Sequence, residues 1–165
     1  MGMPYTVLMP IFADQILGGG ARGLGILTCA TGIGALAGAL SLTLRKSVFG
    51  LGRVVAIASV AFGVSLILFS LSNRFWLSAA LLVPAGFSMM VQMASSNTLI
   101  QAMVPDQLRG RVMAVYSMMF MGMAPFGAMF AGLVAERLGA PATVVIGGTV
   151  CIAGGGLFAL WLPSL

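Results

Sequence analysis

Charged residues fall in short clusters along this chain, and the stretches between them are long and apolar. No charged residue lies in 23–44, 54–73, 75–105, 112–135 or 138–165. A helix needs about 20 apolar residues to cross a hydrocarbon core of roughly 30 Å, and each of these stretches reaches that length. Within a bilayer the backbone must satisfy its own hydrogen bonds, so the spans are expected to be helices. Val144, Val145 and Ile146 do not argue for a strand in that setting. The pattern predicts an all-α membrane protein with six spans, at about residues 1–12, 24–44, 54–71, 75–103, 112–135 and 142–162.

The first span differs from the others. Too few residues precede Asp14 to cross a membrane, yet the run from Tyr5 to Phe12 reads as the outer end of a span, with Pro4 and Pro10 allowing bends. It is expected to be part of a transmembrane helix whose first half is missing. The loops are short, which implies antiparallel neighbours in a compact bundle. The second and fourth loops carry Arg45, Lys46, Arg53, Arg109 and Arg111, against Arg22, Arg74 and Arg137 in the other three. The positive-inside rule therefore places residues 45–53 and 105–111, and both chain ends, in the cytoplasm.

Composition narrows the function. Sixty per cent of the residues are hydrophobic and 7% are charged, whereas a soluble domain carries about 25% charged residues. The net charge of +5 does not indicate nucleic acid, because the basic residues punctuate apolar spans and hold span ends at the headgroups. Cys29 and Cys151 both lie within spans and read as small packing residues. With no histidine and no cysteine–carboxylate cluster, no metal or other cofactor is expected. The glycines of 18–25 follow no strand and precede no Gly-Lys-Ser/Thr, so they do not form a phosphate loop.

Asp14-Gln15-Ile16-Leu17-Gly18 matches Asp106-Gln107-Leu108-Arg109-Gly110 at an offset of 92, and Gly34-Ala35-Leu36 matches Gly127-Ala128-Met129 at 93. The units are three spans long, so the second would be inverted in the membrane, as in secondary transporters. Chance similarity between short glycine- and alanine-rich strings is the competing explanation.

Three groups of residues are candidates for function. Gly34 and Gly38 form a GxxxG on the second span, and Gly122, Pro125, Gly127 and Gly132 punctuate the fifth. Small residues allow close backbone approach in lipid, either within this bundle or toward helices the chain does not contain. Ser88, Gln92, Ser95 and Ser96 share a face of the fourth span, and polar groups at membrane depth need protein or a water-filled cavity. That face is expected to line a cavity or to make interhelical hydrogen bonds. Asp14, Asp106 and Glu136 all lie at span ends, Asp106 being placed to cap a helix. No paired carboxylates or nucleophile–base set is visible, so an enzyme is not expected. The thirteen methionines fill packing gaps or form a soft surface for varied ligands.

The segment Val104-Pro105-Asp106-Gln107-Leu108-Arg109-Gly110-Arg111-Val112-Met113, preceded by Asn97-Thr98-Leu99-Ile100-Gln101, resembles the tenth-to-eleventh helix junction of major facilitator superfamily exporters. The closest resemblance is to the branch containing enterobactin exporters and macrolide efflux pumps. Residues 5–12 and 23–44 resemble that branch's seventh and eighth helices, so the likeness covers essentially the whole chain. It implies the C-terminal six-helix half of a twelve-helix transporter of the bacterial inner membrane. The mechanism implied is alternating access, exporting a small molecule (siderophore, drug or metabolite), with proton coupling. The implied partners are the lipid bilayer, that substrate and the N-terminal half.

The resemblance assigns Tyr5, Thr6, Ser88, Gln92 and Ser96 to the substrate cavity and the glycine-bearing second and fifth spans to the contact between halves. Pro105, Asp106, Arg109, Gly110 and Arg111 form its cytoplasmic loop motif. Residues 45–53 lack the Asp of the family's other loop motif, which puts that gating network in doubt. Residues 122–127 match the antiporter glycine–proline motif only in part. Two rival readings are a complete six-helix protein acting as a homodimer and a non-transporting membrane scaffold or assembly subunit.

Overall fold

In the computed structural model the described residues are 5–44 and 50–161. They form α1 (Tyr5–Ile11), which runs into a π-helical turn at Phe12–Ile16. Then follow α2 (Gly20–Thr43), α3 (Leu51–Leu71), α4 (Phe75–Met103), α5 (Asp106–Leu138) and α6 (Ala140–Leu160). Among the described residues there is no strand, and five helices, α2 to α6, are long and apolar enough to cross a membrane. Of the first predicted span the described part is a helix of 7 residues, so six complete spans are not observed among the described residues. Arg45 and Lys46 of the second loop lie outside the described residues.

Most span boundaries fall within a few residues of those expected, and α4 occupies 75–103 as predicted. The exception is α5, which extends beyond 112–135 at both ends. Its first two turns carry Asp106, Arg109 and Arg111, and Asp106 pairs with Arg109 at 2.6 Å across one turn. The charges there decorate a continuing helix. The N-cap is Pro105, and Asp106 is the first helical residue, so the expected cap is not made. Its carboxylate instead lies at the positive end of the helix dipole. Both α4 and α5 are helical through their internal prolines, Pro84 and Pro125.

Helix α4 is the centre of the bundle, packing along both α2 and α3, while α3 also packs along α6. Glycine allows the closest approaches. A Cβ on Gly34 would overlap the carbonyl of Val83, and one on Gly38 would lie 2.8 Å from the Phe87 oxygen. From the other side, a Cβ on Gly86 would overlap the Thr31 carbonyl. The α3–α6 contact has a related construction. A Cβ on Gly63 would stand 2.5 Å from the Gly148 oxygen and 2.7 Å from Ile152, and one on Gly155 would stand 3.1 Å from the Ala56 oxygen and 3.2 Å from Val60. Shifting Gly63, Gly148 and Ile152 by 92 residues in opposite directions gives Gly155, Ala56 and Val60.

Helix α1 lies against α3. The Tyr5 and Phe62 rings meet edge to face at 5.9 Å, and those of Phe12 and Phe69 lie 4.8 Å apart. These aromatics join Leu8, Leu27, Leu66, Leu82 and Val144 in the buried core. At the far end of that core, Ser70 donates a hydrogen bond to the Pro141 carbonyl, tying the end of α3 to the start of α6. Helix α5 is the least covered, with Ala131 its one buried residue. Met118, Met119, Met121, Met123, Phe126 and Phe130 are exposed along it.

Candidate functional site

The polar positions of α4 do not converge with those of α1. Those of α4 line two cavities and those of α1 a third. Ser88 is buried and lines a small space of about 290 Å³ between α2, α3 and α4, with Ser41 and Phe87. Gln92 and Ser96 line a trough of about 480 Å³. Its other walls are Val55 and Ser59 of α3, Tyr116 of α5, and Cys151, Gly154 and Phe158 of α6. Ser95 is enclosed beside that face, and its hydroxyl has no hydrogen-bond partner.

Tyr5 and Thr6 line a third and larger cavity, a groove of about 570 Å³ between α1, α2 and α4. Met9 and Pro10 of α1, Thr28 and Thr31 of α2, and Met89, Met90 and Met93 of α4 complete it. None of its described lining residues is charged. The Thr28 hydroxyl donates to the Leu24 carbonyl at 2.8 Å and lies 3.7 Å from the Met9 sulfur. Thr31 donates to the Leu27 carbonyl at 3.0 Å. The family resemblance assigns Tyr5 and Thr6 to the substrate cavity; Thr28, Thr31 and the methionines opposite were not among the expected residues. The available signal was the three-residue spacing of Thr28 and Thr31, which puts two hydroxyls on one face of α2.

Gly34 and Gly38 seat α4 inside this chain. The α2 face expected to meet another half is therefore committed to an internal contact. On α5, Gly122 and Pro125 are exposed and Gly127 and Gly132 are half-buried, and a Cβ on Gly122 or Gly132 would meet nothing within 4 Å. In the loop motif Pro105, Asp106, Arg109, Gly110 and Arg111 are all exposed. Asp14 and Glu136 are exposed too, at the π-helical turn and near the end of α5. With Asp106 they are the chain's three carboxylates, and each stands near a helix end. Among the described residues no group of histidine, cysteine or carboxylate side chains could hold a metal ion.

Comparison with known proteins identifies the family. Residues 3–163 match a major facilitator family described as transmembrane secretion effectors. The staphyloferrin A transporter of Staphylococcus aureus (strain NCTC 8325 / PS 47) is 26% identical over 153 residues, which cover 92% of this chain and 38% of that protein. This chain thus spans well under half the length of that relative. No solved structure matches it significantly. The chain belongs to the major facilitator family of transmembrane secretion effectors, a family of membrane transporters rather than enzymes.

Proposed function

We propose that this chain is the C-terminal half of a secondary transporter of the bacterial inner membrane. The transporter exports a small molecule by alternating access, driven by an ion gradient, most simply of protons. The observation that carries the reading is the family match over nearly the whole chain, set against a relative more than twice as long. The half is built from two three-helix repeats, α1–α3 and α4–α6, inverted with respect to each other. The reciprocal α3–α6 contacts at Gly63 and Gly155 support this.

The repeat also gives the trough a role. In the first relation α4 runs between α2 and α3 over much of its length. The inverted relation requires α1 to run between α5 and α6 in the same way, but α1 has only a few contacts with each. The trough walled by α3, α4, α5 and α6 stands where that relation would put a helix. Gln92 and Ser96 then give hydrogen bonds to a neighbouring helix or to cavity water. The bare face of α5, with Gly122, Pro125, Gly127 and Gly132, meets the N-terminal half. The loops at 45–53 and 105–111 and both chain ends are cytoplasmic.

Proton coupling resides in the N-terminal half. A proton carrier needs an ionisable group exchanging between both sides of the membrane, and the three carboxylates here stand at helix ends. Export is tested in everted vesicles containing the full-length gene product, with substrate uptake followed after respiration is started. Uptake should collapse on addition of nigericin, which dissipates the pH gradient. Uptake that persists without any ion gradient would refute a secondary transporter.

A further inference from the structure

We propose that the cleft between α2 and α3 holds one acyl chain of an anionic phospholipid, whose phosphate lies against Arg53 at the cleft mouth. The two helices are consecutive in the chain, yet they pack on α4 and scarcely on each other. The space between them is the cavity of about 290 Å³. Val54, Ile57 and Ala61 of α3 form one wall, Ser41 and Leu42 of α2 the other, and Phe87 and Ser88 of α4 the floor. From Val54 to Ala61 is about 10 Å at 1.5 Å per helical residue, against roughly 15 Å for one leaflet of the hydrocarbon core. The cleft opens outward, since Ile57 is 68% exposed and Val64 and Leu68 continue the exposed apolar stripe.

Charge at the mouth selects the headgroup. Arg53 is exposed and stands one turn before Ile57 and two before Ala61, on the same face of α3. No aspartate or glutamate occurs between Asp14 and Asp106, so the three helices that enclose the cleft offer Arg53 no carboxylate. Asp106, the first acidic residue after α4, pairs with Arg109. The guanidinium is therefore left to an anion from outside these helices, and a phosphate accepts two parallel hydrogen bonds from it. The start of α3 adds to the attraction. Its N-cap is Gly50, which brings no side-chain cap, and its first turn carries no acid, so the positive end of the helix dipole stands uncompensated beside Arg53. A zwitterionic lipid carries its own ammonium next to the phosphate, whereas an anionic lipid leaves its charge to the arginine. A second copy of this chain fits the cleft less well. A two-fold contact would set the same acid-free surface, with its own Arg53, against this one.

The test uses the purified, delipidated full-length gene product and native mass spectrometry. The probes are dioleoyl phosphatidylglycerol, dioleoyl phosphatidylcholine and, as a headgroup without chains, glycerol phosphate. Phosphatidylglycerol should bind about fivefold tighter than phosphatidylcholine, the effect of one basic residue beside an anionic headgroup, and glycerol phosphate should not displace it. Arg53→Gln should lower the phosphatidylglycerol affinity about fivefold and leave that of phosphatidylcholine unchanged, and Arg53→Lys should restore most of the difference. Ser41→Leu and Ala61→Leu each fill the cleft, from opposite walls, and should weaken both lipids; if one variant folds poorly, the other still reads the cleft. Equal affinity for the two lipids, or a preference untouched by Arg53→Gln, would overturn the proposal. Lipid binding insensitive to both leucine substitutions would overturn the cleft as its seat. Displacement by glycerol phosphate would reveal a phosphate site with no acyl chain, and a lipid-free dimer that Ser41→Leu dissociates would make the occupant a second copy. Either result would overturn the proposal and leave the transporter reading standing.

Discussion

Replacing Gly34 with alanine adds one methyl group, and the structure leaves no room for it. The new Cβ would overlap the Val83 carbonyl oxygen and stand 2.8 Å from its carbon and 2.9 Å from the Phe87 nitrogen. All three atoms are helix backbone, so no side-chain rotation relieves the clash. Helices α2 and α4 must separate by roughly 1 Å to restore ordinary contact, since dispersion is optimal at about 3.5–4.0 Å between carbons. That separation also loosens the contacts at Gly38 and Gly86. Overpacking of this kind costs about 1–3 kcal/mol, and unyielding backbone on both sides puts Gly34→Ala at the upper end, about 3 kcal/mol.

Gly32 and Gly25 lie on the same helix with nothing within 4 Å of an added Cβ. Alanine there should be neutral or stabilising by up to about 1 kcal/mol, the difference in helix propensity. Gly34→Ala with Gly86→Ala should be less than additive, because one separation of the helices accommodates both methyls. The assay is thermal stability of the detergent-solubilised, fluorescently tagged protein, read as the fraction remaining monodisperse after heating. A Gly34→Ala protein as stable as Gly32→Ala would refute the reasoning.

Four further outcomes follow from the account. Gly154 faces the trough with open space around it, so Gly154→Leu should leave residues 1–165 as stable as before while destabilising the full-length protein by about 1–3 kcal/mol, measured by the same heating assay. Gly127→Leu on the bare helix should reduce transport at least tenfold with expression retained, because a bulky side chain blocks close helix approach; unchanged transport rates would refute it. Asp14→Asn, Asp106→Asn and Glu136→Gln should each slow transport but leave its pH dependence in place, and loss of proton coupling in an active Asp14→Asn protein would overturn the assignment of coupling to the other half. A cysteine at Asn73 should react with an impermeant thiol reagent from outside the cell and one at Gln107 only after permeabilisation; the reverse pattern would invert the topology.

How much was legible in the sequence varied by element. Helix α4 was bounded correctly because Arg74 and Pro105 bracket an uninterrupted apolar run, and both the charge and the proline are physical stops. Helix α5 is longer than its apolar run, because its charged ends remain helical. In a membrane protein a charged turn ends the apolar span without ending the helix, as the Asp106–Arg109 pair across one helical turn illustrates. Gly34 and Gly38 were recognisable as a close-approach face, but a small-residue pattern does not say which helix approaches. The structure answers with Val83 and Phe87 of α4.

The candidate site was legible only in fragments. Helical periodicity groups Ser88, Gln92 and Ser96 on one side of α4. Four other helices, α2, α3, α5 and α6, wall the separate cavities on that side, and their positions are not encoded in the periodicity of α4 itself. The groove at Tyr5 and Thr6 needed two walls contributed by α2 and α4, so its character as an uncharged, methionine- and threonine-lined space emerged only from tertiary packing.

The central claim is that these residues form half of a transporter and work only with the other half. Its most direct measurement is transport by the two halves expressed separately. Residues 1–165 reconstituted alone in proteoliposomes should move no substrate of the full-length protein against a gradient, the upstream six-helix half alone should move none, and co-expression of the two should restore uptake. Robust, energy-dependent uptake by residues 1–165 alone would contradict the account and favour a homodimer.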